Sequence, residues 1–171
     1  MLFRSSWNYG AGIYISSGAQ PEVLCNDIRQ NGNVGGSRGY GAGIFVGGSP
    51  APVLASNLIF DNYNKSGSWN YGGGIRVYSS GSATIVNNTV VYNKCIGGSW
   101  SYGGGIEDSG NGTRIQNNIV AFNQAATGGG IKYGGTTTPP ILGCNDFWSN
   151  TTGDRSEERR VGKELRSRGS P

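Results

Sequence analysis

One short phrase recurs five times at nearly even spacing, and this restricts the chain more than any other feature. Tyr-Gly-Ala-Gly-Ile ends at Ile13 and Ile44, Tyr-Gly-Gly-Gly-Ile at Ile75 and Ile106, and a shortened Gly-Gly-Gly-Ile at Ile131. The steps are therefore 31, 31, 31 and 25 residues. A second motif, Asn-x-h-x-x-Asn with h apolar, keeps pace with the first. Its copies run from Asn26 to Asn31, Asn57 to Asn62, Asn88 to Asn93, Asn118 to Asn123 and Asn145 to Asn150. An apolar residue stands three positions ahead of each first asparagine: Val23, Leu54, Ile85, Ile115 and Leu142. Repeats of this length signify a stack of equivalent units.

Each period holds three short segments of alternating apolar residues, separated by Gly, Ser, Pro and Asn, which predicts three strands per turn. A helical solenoid does not fit, because no segment carries an apolar stripe of period 3.6 and the 32 Gly of this 171-residue chain are too frequent for helix interiors. The expected fold is all-β: a single-stranded parallel β-helix of about five coils, in which each strand pairs with its equivalents about 4.8 Å above and below. Glycine recurs because every coil turns the same corner, where unusual dihedrals and close backbone approach exclude larger residues. The paired asparagines mark two other corners, where stacked amides can bond to neighbouring copies and to turn backbone.

The Gly-Gly-Gly-Ile phrase followed by an apolar residue three places before asparagine resembles the right-handed parallel β-helix repeat family. It is similar to the Gly-Gly-Ala-(Ile/Leu/Val) and Phe-x-x-Asn repeats of chlamydial polymorphic outer-membrane-protein passengers. The resemblance covers about residues 5 to 150. It departs from the passenger pattern in three ways: Gly replaces Ala, a strict Phe-x-x-Asn occurs only from Phe147 to Asn150, and no membrane barrel follows. The resemblance implies a right-handed coil and a bacterial secreted or cell-surface protein with a structural or adhesive role, continued by adjoining coils of a longer chain. It implies no activity, because this fold carries adhesins, polysaccharide lyases and hydrolases alike. The alternative is a non-catalytic portion of a carbohydrate-active enzyme, a polysaccharide lyase or glycoside hydrolase.

Composition changes at about residue 154. Residues 1–153 hold 8 Lys and Arg against 6 Asp and Glu, and all 17 Asn of the chain, whereas the last eighteen residues hold 6 basic and 4 acidic residues and no Asn. The run Arg-Ser-Glu-Glu-Arg-Arg-Val-Gly-Lys-Glu resembles the translation of a sequencing adapter, and residues 165–171 differ from that translation only at Leu165 and Gly169. The expected organisation is a β-helix over 1–153 and a non-native or disordered tail over 154–171. The net charge of +4 then carries no message about nucleic acid, since half of it sits in that tail. There is no run of eighteen apolar residues, so no membrane segment is expected.

No catalytic, metal or cofactor site is assigned. With no His in the chain, Ser-His-Asp, Cys-His and His-based metal sites are absent. No glycine turn completes a nucleotide-binding fingerprint. Cys25 and Cys144 share a repeat position but lie four coils apart, roughly 19 Å at the strand spacing, and Cys95 belongs to another part of its coil; all three are expected to be free thiols.

The candidate binding residues form two columns. The residue after each motif isoleucine is Tyr14, Phe45, Arg76, Glu107 or Lys132. Alternation sends these outward, so Arg76, Glu107 and Lys132 form a plus-minus-plus ladder, either a surface ion-pair row or part of a polysaccharide face. Asp108 falls where Ile15, Val46 and Val77 predict an inward apolar residue, so either the strand leaves register there or Asp108 belongs to a site. Glu107 and Asp108 point to opposite faces and cannot readily flank one glycosidic bond. The second column lies in the loop before the glycine corner: Trp7, Trp69 and Trp100, with Arg38 in the second coil, beside Tyr9, Tyr40, Tyr71 and Tyr102. These rings can pack the loop against its neighbours or offer flat faces to sugar rings. The expected partner is an extracellular polysaccharide or a surface protein.

Overall fold

The computed structural model describes residues 6–78, 81–134 and 138–157. Every regular element among them is a short strand, and every strand pairing is parallel, between one coil and the next. The second coil contains the full set: Arg38–Tyr40, Ile44–Gly47, Val53–Ala55, Leu58–Phe60 and Tyr63–Lys65. Each strand of this coil pairs with its equivalent 31 residues away, as Ile44 does with Ile75 and Leu54 with Ile85. The stack therefore comprises five sheets where three strands per coil were expected. Two of the sheets contain five strands each, which bound about four turns, slightly fewer than the five coils expected.

The two additional strands explain themselves by what they bury. The three expected strands turn Ile, Val and Leu inward, and the apolar core runs through Ile44, Ile75, Ile106 and Ile131, flanked by Leu54, Ile85 and Ile115 and by Ile59, Val90 and Val120, all fully buried. The other two, Tyr63–Lys65 and Trp69–Tyr71 with their equivalents, turn polar or minimal side chains toward each other: Asn33 and Asn64 from one row, Gly39, Asn70 and Ser101 from the other. Asn64 Nδ2 donates to the Tyr71 and Gly72 carbonyls, and Asn70 Nδ2 donates to the Ser66 and Gly97 carbonyls. A lobe filled with amides shows no apolar alternation, so it reads as a loop in the sequence.

The paired asparagines build two ladders. Asn57 N–H and Nδ2 both donate to Asn88 Oδ1, and Asn57 Nδ2 also donates to the Val23 carbonyl of the preceding coil. Asn62 does the same with Asn93 Oδ1 and the Ile28 carbonyl. The residue before each ladder asparagine is left-handed: Cys25, Ser56, Asn87, Asn117 and Cys144 at one corner have φ between 51 and 57°, and Gln30, Asp61, Tyr92, Phe122 and Ser149 at the other between 50 and 59°. None is glycine, so each corner costs about 1–2 kcal/mol; the saturated amide ladder offsets that strain.

The described chain continues past residue 153. Asp154 Oδ1 accepts from Asn150 N and Nδ2 and so closes the second ladder, and Arg155–Glu157 pairs with Ile131–Tyr133. Residues 158–171, most of the tail expected to stand apart, lie outside the described residues.

Candidate functional site

The two candidate columns pack against each other. The third residue of each aromatic strand is a tyrosine, and the four, Tyr9, Tyr40, Tyr71 and Tyr102, stack along the axis at 4.9, 5.5 and 5.3 Å between ring centroids. They lie over the outer face of the sheet that carries Tyr14, Phe45, Arg76, Glu107 and Lys132, whose register is as expected.

That covering corrects the expected exposure of the charged row. Arg76 is 4% exposed, Glu107 2% and Lys132 6%. The row points away from the apolar core, but the aromatic strand folds back over it and shuts water out. Arg76 Nε lies 2.9 Å from Glu107 Oε2, and the guanidinium carbon sits 4.2 Å from the centre of the Tyr40 ring, 4.0 Å from that of Tyr71 and 4.7 Å from that of Tyr78. Lys132 Nζ lies 5.0 Å from the centre of Tyr102. This is a desolvated ion pair within a cation–π stack, where Coulomb attraction is screened far less than at a surface. Burial pushes the Tyr71 hydroxyl up to about 12, so the ring against the Arg76 guanidinium carries a neutral phenol.

Asp108 does not join this stack. Its strand, Ile106–Ser109, keeps full register with Ile75–Tyr78, which corrects the expectation that the strand leaves register there. The carboxyl therefore points into the core in the column of Val46 and Val77, with no exposed surface. Oδ1 accepts from Gly110 N at 3.1 Å and Thr113 Oγ1 at 2.9 Å, while the buried Oδ2 has no hydrogen-bond partner among the described residues. Burial raises its pKa to about 6 despite those two hydrogen bonds.

Trp69 and Trp100 stack at 5.4 Å, and Arg38 takes the tryptophan place in the second coil, its guanidinium 4.4 Å from the centre of Trp7 and 5.7 Å from that of Trp69. Most ring faces are thus spent on each other. The fourth coil is six residues shorter and omits the aromatic strand, so this sheet ends at Trp100–Tyr102, and no ring from a further coil lies beyond Trp100 among the described residues. Trp100 is 47% exposed.

The structure thus brings together seven of the eight candidate residues, Trp69, Trp100, Tyr71, Tyr102, Arg76, Glu107 and Lys132, and leaves Asp108 on the opposite side of its strand. Sequence reasoning missed Tyr78, which faces Arg76, and a second aromatic row of Tyr92, Phe122 and Trp148 at an asparagine corner. Equal offsets ahead of successive asparagines mark Tyr92 and Phe122 as a column. The three cysteines are free: Cys25 and Cys144 are exposed, and Cys95 is buried with its thiol pushed up to about 12 by desolvation. No group of three or more His, Cys, Asp or Glu that could hold a metal occurs among the described residues, and no helix there is long and apolar enough to cross a membrane.

Comparison with curated proteins returns no match. Comparison with solved structures also returns none. The model of one family, the right handed beta helix region, matches residues 3–147. That span contains four Gly-Ala-Gly-Ile or Gly-Gly-Gly-Ile corners in 31-residue register, the shortened fifth, and nearly all of both asparagine ladders. With parallel coils, an apolar interior and asparagine-bonded corners in place over that same span, the chain belongs to the right-handed β-helix family.

Proposed function

We propose that this chain is a segment of a structural, adhesive stalk in a bacterial protein that is secreted or displayed at the cell surface, and that it contacts glycans or partner proteins through its aromatic edge. The observation that carries the reading is the end of the tryptophan row: Trp100 stands half exposed at the last aromatic strand, with a flat face available beyond Trp69. A sugar ring presents an apolar face of similar size, which a flat, half-exposed indole can cover. The charged row supports the edge from beneath: Arg76, Glu107 and Lys132 are buried under the tyrosines and stiffen them.

The test is retention of the protein on a panel of bacterial and host-surface polysaccharides, repeated with Trp69→Ala/Trp100→Ala. Binding that weakens several-fold while the far-ultraviolet spectrum is unchanged supports the reading. Absent binding, or binding indifferent to both substitutions, sinks the glycan contact and leaves packing as the role of the row. Antibody labelling of intact cells that express the gene tests the location: label appearing only after permeabilisation would count against surface display.

A further inference from the structure

A cleft among the described residues lies over the first three coils, away from Trp100, between the aromatic strand and the isoleucine strand. Its cavity volume is about 80 Å³. Trp7, Tyr9, Phe45 and Tyr78 wall it, and two guanidiniums, Arg38 and Arg76, enter it. Tyr9 and Phe45 meet edge to face at 5.0 Å, and Tyr14 stacks on Phe45 at 5.3 Å, so the rings that shape the cleft brace one another.

The two cations are not equivalent. Arg76 is neutralised by Glu107 at 2.9 Å and locked over Tyr40. Arg38 has no carboxylate within ion-pair distance among the described residues; Nη1 donates to Tyr40 Oη at 3.3 Å, and its remaining N–H groups have no acceptor there. The cleft therefore offers one uncompensated, planar fork of donors at the rim of an aromatic box. Two guanidiniums exclude a cationic guest, although rings alone would suit one. A single free fork matches a planar carboxylate. At about 80 Å³ the cleft encloses a single ring at most, and the carboxylate would lie at its rim beside Arg38.

We infer that this cleft binds a small organic anion, a carboxylate carried on a six-membered ring, with Arg38 pairing the carboxylate and the Trp7, Phe45 and Tyr78 rings holding the body. The inference does not rest on the adhesive reading, which concerns Trp100 and polymeric ligands. Two sources share the chemistry, an acidic sugar and an aryl carboxylic acid.

The experiment is titration of the ¹⁵N-labelled protein with sodium glucuronate and with sodium benzoate, with glucose and benzyl alcohol as neutral counterparts. Saturable shifts at the amides of Arg38, Tyr40 and Phe45 with at least one acid are expected, with the neutral counterpart at least about tenfold weaker and with weakening as salt is raised. Response to glucuronate alone identifies an acidic sugar, to benzoate alone an aryl acid, and to both the carboxylated ring in general. Arg38→Gln is expected to weaken binding about tenfold or more, and Arg38→Lys to retain part of it. Should Arg38→Gln lose its near-ultraviolet spectrum, Tyr78→Ser, which removes a half-exposed wall ring, is read instead and is expected to weaken binding. No saturable shift with either acid, a neutral counterpart that binds equally, or variants that bind unchanged would each overturn the inference.

Discussion

Two acidic residues adjacent in the chain, Glu107 and Asp108, have opposite fates because alternate residues of a strand face opposite ways. Glu107 enters a stack of counter-charges between Arg76 and Lys132 in register, whereas Asp108 enters the core beside Val77. The Asp108 pKa of about 6 lies above the unfolded value near 3.9, so the native state binds more protons between those limits. Stability is then expected to rise by about 2 kcal/mol as pH falls from 7 to 4, and to be lost as pH rises through 6. Asp108→Asn keeps an oxygen for Gly110 N and Thr113 Oγ1 and removes the buried charge. Melting temperatures should show the variant more stable than wild type at pH 7.5, with the gap narrowing as pH falls and closing at about pH 3; a gap that does not change with pH would mean the carboxyl is not desolvated. For Glu107, substitution by Gln leaves two buried cations in one row, and denaturant unfolding should register a loss of about 3–5 kcal/mol. Arg76→Leu should cost less, because Lys132 still faces Glu107; the reverse order would contradict the ladder.

At the scale of an element, the glycine corner carries two different demands. Gly72 is left-handed at φ +62°, whereas Gly74 is not, and is required by space alone: a Cβ there would stand 2.6 Å from the Gly105 carbonyl oxygen and 3.0 Å from Val90 Cγ1. That carbonyl accepts from Ile75 N at 2.8 Å, so the coil cannot retreat without breaking the ladder. Gly18, also left-handed at +74°, has open space around its missing Cβ. Gly74→Ala is expected to destabilise by about 2–3 kcal/mol through overpacking, and Gly18→Ala by about 1 kcal/mol through backbone strain alone. Urea midpoints separate the two, and equal losses would show that crowding between coils is not what keeps glycine at 74.

At the scale of the molecule, each coil touches only its neighbours, so stability is close to a sum over coils and interfaces. Deleting residues 45–75 joins Ile44 to Arg76, which occupy successive places in the same strand frame because Ile44 and Ile75 are in register. The shortened protein should keep the parallel β spectrum and a cooperative melt, at a lower midpoint. Removal of 29 residues instead shifts the frame by two, breaks both asparagine ladders and should abolish that melt; survival of the second variant would show that register is not enforced by the ladders.

The apolar isoleucine, the apolar residue ahead of each asparagine pair and the asparagines themselves determined the stack, because each must meet its own copy one coil away and so repeats in the sequence at the coil length. Register, the inner core and the Arg76–Glu107–Lys132 row were legible for that reason. The amide-filled lobe was not, since Asn33, Asn64 and Asn70 turn inward without apolar alternation. Nor was the burial of the charged row: alternation tells which side of a strand a side chain leaves from, but only the return of the Trp69–Tyr71 strand over that side decides whether water or a tyrosine is waiting there.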